Sequence, residues 1–292
     1  MTTAQPRVVS LFHADTSTFT HVVFDREGGR GAIVDPVRDF DPASGRIAHT
    51  AAEEVVAVVQ QLNLSIDWIL ETHAHADHLS AAPYLKARLG GRIAIGRAIG
   101  EVQAIFEPRF HPGQPLPAHG PEGDGFDHLF DDGETFAIGD LQATAWHVPG
   151  HTPADMAFVV GDAVFVGDTL FPPDVGTARC DFPGGDARAL YHSVQRLLAL
   201  PDDTRLFMCH DYPLTERPPM AMCTVADERR HNVHIRDGIG ESEFVALRQA
   251  RDATLAVPRL ILPSIQVNIR AGQLPEPDAN GTRYLRWPLT LA

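Results

Sequence analysis

The chain has 292 residues, with 24 Lys and Arg against 38 Asp and Glu, a formal charge of −14. That acidity excludes a general nucleic-acid binder, which needs a basic footprint, and opposes docking on anionic membranes; no apolar run approaches the ~18 residues of a membrane span. Met1 to Phe19 lacks a basic segment followed by an apolar one, so no secretory leader is expected, and three cysteines (Cys180, Cys209, Cys223) cannot form a disulfide framework and suit a reducing cytoplasm.

Apolar, Thr-rich runs at Thr18 to Phe24 and Ala32 to Val34, separated by Gly28 and Gly29, read as strands of a meander. Thr50 to Leu62 reads as a helix, opened by a capping box of Thr50 and Glu53, with Val55, Val59 and Leu62 on one face. A predicted strand at Ile66 to Leu70 precedes a predicted helix over Leu79 to Leu89, with Ser80 as N-cap and Gly90-Gly91 ending it. Ile93 to Ile95 returns as a strand. Glu107 to His128 then carries Pro108, Pro112, Pro115, Pro117 and Pro121 plus four glycines, and reads as an inserted loop, either a lid or contact surface or an insertion without a role.

Strands are predicted at Leu141 to His147, Met156 to Val160 and Ala163 to Val166, and a helix at Asp186 to Leu200 buries Leu190, Val194 and Leu197. Arg205 to Cys209 reads as a strand. Thr224 to His231 and Ser242 to Ala256 read as helices with Thr and Ser caps, so the segment from about 224 to 292 is helical and extended. This order points to one α+β domain over residues 1–292, built in layers rather than as a doubly wound parallel sheet. No Gly-rich phosphate loop is present.

Fifteen histidines beside 38 acids are what a divalent metal wants. Thr72 to His78 places His73, His75, Asp77 and His78 between a strand and a helix. An extended His-x-His can turn two rings to one side, while Asp77 and His78 address a second point. His151, Asp168 and His210 each follow the end of an apolar strand, as His73 does, and Gly150 and Gly167 suit abrupt exits from a strand. Rigid strands ending at one rim would converge these side chains on one cleft. The other ten histidines are read as ordinary core or surface residues.

The motif Thr72 to His78, with Gly150-His151-Thr152, Gly167-Asp168-Thr169 and Cys209-His210, resembles the metallo-β-lactamase superfamily. The resemblance implies an αββα sandwich with the site at one edge of the sheets. Within it, Arg179 to Gly185, Leu190 to Ser193, His210-Asp211-Tyr212 and Glu228 to Asn232 are similar to the glutathione persulfide dioxygenases, which oxidise a glutathione-bound sulfane sulfur to sulfite with O2 on one non-haem iron(II).

Position by position, the resemblance implies His73, His151 and Asp168 as ligands of one Fe(II) per chain. His75, Asp77, His78 and His210 would form a second shell or a second metal site. Asp77 and Asp181 are the catalytic candidates; Arg179, Tyr212, Arg229 and Arg230 are the substrate-binding ones. Cys180 is read as an inert buried thiol. Glutathione persulfide and O2 would be the substrates, and a homodimer is the assembly implied by analogy. The alternative is a glyoxalase II type hydrolase, in which two Zn(II), bridged by Asp168, cleave a glutathione thioester: His73, His75 and His151 would hold one ion, and Asp77, His78 and His210 the other.

Overall fold

The computed structural model describes residues 5–113, 115, 118–120, 125–213 and 216–289. The chain opens with β1 (Arg7–His13), β2 (Thr18–Phe24), β3 (Arg30–Val34), β4 (Val37–Arg38), β5 (Phe40–Asp41), β6 (Arg46–Ile47) and α1 (Thr50–Gln61). Next come β7 (Ser65–Leu70), β8 (Leu79–Ser80), α2 (Ala82–Leu89), β9 (Arg92–Gly96), α3 (Ile99–Phe110) and β10 (His128–Phe130). Then follow β11 (Thr135–Ile138), β12 (Leu141–His147), β13 (Met156–Val160), β14 (Ala163–Phe165), α4 (Ala187–Leu198), β15 (Arg205–Phe207) and β16 (Met222–Thr224). Three helices close it: α5 (Val225–His231), α6 (Glu241–Asp252) and α7 (Ile261–Asn268).

Two six-stranded sheets result, ordered β1-β2-β3-β7-β9-β10 and β11-β12-β13-β14-β15-β16. The first begins as an antiparallel meander and continues with β3, β7, β9 and β10 parallel. In the second, only β14 and β15 pair in parallel.

Alternation along the strands builds the layers, because successive side chains point to opposite faces. Val23, Ala32, Val34 and Leu70 turn inward and meet Ala143, Met156, Phe158 and Phe165 of the facing sheet. Their neighbours Val22, Phe24, Ile33 and Ile69 turn outward onto Val55 and Val59 of α1, Leu85 of α2 and Phe106 of α3. On the opposite outer face, Ala157, Val164 and Leu206 pack against Leu190, Val194 and Leu197 of α4 and Phe244 of α6. The product is the expected αββα sandwich. No helix among the described residues is long and apolar enough to cross a membrane.

Several local expectations are corrected. The α1 helix starts after His49 with no side-chain cap, because Glu53 is drawn instead to Tyr84 and Arg88. Leu79–Ser80 pairs with β4 as a strand, so α2 begins after Ala81, although the Ser80 hydroxyl still accepts from the Ala82 N–H at 3.0 Å. The α6 helix opens after Gly240 rather than on a serine cap. The Pro-rich insertion is shorter than expected: Glu107 to Phe110 finish α3, with Pro108 in its last turn, and His128 begins β10. Pro117 and Pro121 lie outside the described residues.

The N-cap of α4, Asp186, matters for the site. The Asp186 carboxylate accepts from the Ala189 N–H at 2.7 Å, and its own N–H donates to the Gly150 carbonyl at 2.9 Å, beside His151. Asp186→Ala is expected to cost about 1 kcal/mol of unfolding free energy, read by denaturant titration.

Candidate metal centre

Each candidate ligand leaves the C-terminal side of a strand. The chain after β7 carries His73 to His78, His151 lies beyond β12, and the adjacent parallel strands β14 and β15 deliver Asp168 and His210 side by side. Two exits admit only glycine. Gly167 has φ 53°, and a Cβ there would stand 2.7 Å from the Thr72 hydroxyl; at Gly150 (φ 152°) it would stand 2.4 Å from Leu190 Cα.

Among the described residues the ligand atoms form overlapping groups: Cys209 joins Asp35 and His75, and also Asp168 and His210, and two further groups hold histidine and aspartate alone. His73, His151 and Asp168 each offer one atom within 4.8 Å of the others, and so do His75, Asp77, His78 and His210. Asp168 Oδ2 is 3.9 Å from His73 Nε2 and 3.6 Å from His151 Nε2, too far for hydrogen bonds but bridgeable by one ion. Its Oδ1 lies 3.5 Å from His210 Nε2, so the carboxylate faces both groups. His73 Nε2, His75 Nδ1, His78 Nε2, His210 Nε2 and Asp168 Oδ1 are buried without a hydrogen-bond partner. Buried polar atoms left open in this number are costly unless something meets them, and this donor set fits a divalent cation.

The opposite ring nitrogens are engaged. His151 Nδ1 donates to the Arg179 carbonyl at 2.7 Å, His210 Nδ1 to the Ser17 carbonyl at 3.1 Å, and His73 Nδ1 lies 3.1 Å from the Thr72 hydroxyl. His75 Nε2 donates to Asp35 at 3.0 Å; Asp35 also accepts from the Thr72 N–H and hydroxyl, at 2.7 and 2.9 Å. Such partners fix tautomer and ring direction. Asn268 of α7 clamps the loop, donating to the carbonyls of His75 and His78, both at 2.8 Å. Neither Asp35 nor Asn268 was expected; an Asp after a strand and an Asn near a helix end carry no local signal of this task.

Burial, with neighbouring imidazoles adding to it, pushes the pKa of His73 and His75 well below the usual histidine value. For His210 burial acts downward, but Asp77 and Asp168 outweigh it and the pKa is raised. Asp77 is likewise held low against its burial by His210 and His78. The neutral rings of His73 and His75, with open lone pairs, and the ionised Asp77 are in the state a metal requires.

A cavity of about 320 Å³ opens onto Asp77, His151 and Asp168. Arg179 and Tyr212 line it as expected; the Tyr212 ring stacks on His210 at 5.5 Å. Arg229 and Arg230 do not reach it. Arg229 pairs with Asp202 and Asp237 at 3.1 and 3.3 Å on the outside of α5, and Arg230 is exposed there, because α5 packs on the sheet through Val225 and turns these side chains to solvent. Arg248 and Arg251 of α6 line the cavity instead, an assignment that sequence spacing did not suggest. Asp181 is not among the lining residues either: it holds Arg179 through two bonds of 2.5 and 2.6 Å. Cys180 is buried, which pushes its thiol pKa up and keeps it protonated.

Residues 15–210 match the profile of the metallo-beta-lactamase superfamily. The chain is 54% identical to a probable metallo-hydrolase of Burkholderia pseudomallei, over 97% of this chain and 98% of that one. It is 49% identical to a beta-lactamase hydrolase-like protein of Xylella fastidiosa, covering 97% of this chain and 65% of that protein. Glyoxylase B2 of Dictyostelium discoideum is 43% identical over 94% of both chains. The human mitochondrial persulfide dioxygenase ETHE1 is 27% identical over 90% of this chain and 87% of its own. The crystal structure of ETHE1 from Myxococcus xanthus superposes with a TM-score of 0.71 at 25% identity, covering 91% of this chain and all of that one.

Asp168→Ala and His73→Ala are expected to abolish tight metal binding at the three-residue group, read by metal titration of the apoprotein. Asp35→Asn should weaken it by about 10–100-fold with the fold intact.

Proposed function

The chain belongs to the metallo-β-lactamase superfamily, and from that premise we propose that it is an iron-dependent glutathione persulfide dioxygenase. The supporting observation is a complete set of two imidazoles and one carboxylate. His73, His151 and Asp168 converge on one point, while His75 converges with Asp77, His78 and His210. Two imidazoles and one carboxylate are the facial set that leaves positions open on non-haem iron(II). When bound there, Fe(II) supplies the redox chemistry that joins O2 to the terminal sulfur. The likeness to the persulfide dioxygenases adds support.

The protein's part is placement. One carboxylate and two neutral imidazoles leave a divalent ion with a single positive charge, matched to a persulfide anion. Glutathione carries two carboxylates. Of the arginines lining the cavity, Arg251 is exposed and makes no ion pair among the described residues, while Arg179 is held by Asp181 and the buried Arg248 by Asp252 and the Thr177 carbonyl. Arg251 is therefore the fork offered to a carboxylate, and the other two add positive charge behind it. Arg179 is itself held by Asp181 and by the Ala256 carbonyl at 2.7 Å, so its position is set before substrate arrives. Phe171 and Phe182 make the apolar side of the cavity and exclude water from the sulfur chain. Tyr212, stacked on His210 and edge-on to Phe171, lines the same cavity and brings a hydroxyl to it.

A second reading rests on the second group of ligands. His75, Asp77, His78 and His210 lie close enough to hold another ion, with Asp168 between the groups, as a binuclear thioester hydrolase of the glyoxalase II type requires. The likeness to the Dictyostelium glyoxylase B2 supports it.

Metal analysis of anaerobically purified protein, with two assays, separates the readings. One equivalent of iron, O2 uptake with glutathione persulfide and no lactoylglutathione hydrolysis are expected; two zinc ions with hydrolysis and no O2 uptake would overturn the dioxygenase. Arg251→Ala and Tyr212→Phe should raise KM for the persulfide more than they lower kcat, as lost uniform binding does. Unchanged KM in both would remove the cavity as the glutathione site.

A further inference from the structure

A separate cavity of about 260 Å³ shares no lining residue with the one described above and touches the candidate ligands only at His78. Its charged lining is Arg38, Arg46, Arg259 and His13 against Asp15, Asp39 and Asp41. These groups differ in what they already hold. Asp39 accepts from the Ala51 N–H at 3.1 Å and faces His13 Nε2 at 3.5 Å. Asp41 accepts from the Ala43 N–H at 3.0 Å and the Ser44 hydroxyl at 2.5 Å. Only Asp15, exposed, is uncommitted among these acids.

Among the described residues, none of the three guanidinium groups makes a hydrogen bond or a close ion pair. Arg38 is the telling one. It is 4% exposed, and its Nε is buried with no partner. Burial pulls its pKa down to about 10, with Glu71 acting the other way. Glu71 answers its charge at a distance but makes no hydrogen bond or close ion pair with it; a buried guanidinium with an open donor is costly, and a planar fork of donors matches an oxyanion with two parallel bonds. Arg46 and Arg259 add two exposed cationic walls, while the acids beside them mostly serve the chain's own donors.

We propose that this cavity is a binding site for a small inorganic oxyanion of the sulfite, sulfate or phosphate class, with Arg38 as its buried anchor and Arg259 and Arg46 completing it. The site is independent of the activity proposed above. His78, shared between this cavity and the second ligand group, makes an anion here a neighbour of the metal centre rather than its ligand.

The test titrates the metal-loaded full chain separately with sodium sulfite, sulfate and phosphate by calorimetry at constant ionic strength. Saturable binding at one site is expected for at least one of them. Arg38→Met and Arg259→Ala should each weaken it by about tenfold or more, while Arg251→Ala, in the other cavity, leaves it unchanged. Circular dichroism checks the fold of Arg38→Met; Arg259→Ala, a surface change, carries the test should the buried substitution misfold. No saturable binding by the wild type overturns the proposal. So does binding that survives both arginine substitutions in folded protein, or that is lost in Arg251→Ala.

Discussion

The centre depends on a division of labour within each imidazole. One nitrogen is held by a neighbour so that the other stays open toward a common point. Arg179, Ser17 and Thr72 do this for His151, His210 and His73, and Asp35 does it for His75. The layers above and below serve that demand. Burying several rings and two carboxylates at a sheet rim costs free energy, and the apolar core between and outside the sheets offsets it.

The geometry places a positive task inside an acidic chain. The overall charge of −14 describes the surface that solvent sees. Locally, three arginines line the cavity at the metal centre and three others line the cavity beyond His78. Most surface acids are paired or turned to solvent, as Asp202 and Asp237 are with Arg229.

Much of this was legible in the sequence, for a physical reason. Strand ends carry local signals: an apolar run and then a ligand-type residue, with a glycine just before it at His151 and Asp168. His73, His151, Asp168 and His210 all announce themselves in that way, and the strands from Leu141 to Val160 fall at the predicted bounds. What escaped was anything decided across the chain. Glu53 suits a capping box by spacing but meets Tyr84 and Arg88 on the next helix. Pro108 suggested a loop, yet tertiary contacts of Val102, Phe106 and Phe110 keep α3 helical around it. Arg229 and Arg251 lie on neighbouring helices, and only packing decides which of them faces the cavity.

The Asn268 clamp fixes an order of events. It joins the loop of His75 and His78 across a separation of about 190 residues, and the Ser17 contact to His210 spans 193. During synthesis the histidine motif emerges early, but its loop is not clamped until α7 has left the ribosome. Contacts so distant in sequence form late and slowly. Until then the nascent chain carries exposed histidines and carboxylates with no enforced arrangement, able to take up whatever ion is at hand. Metal selection by geometry therefore begins only when nearly the whole described chain is in place.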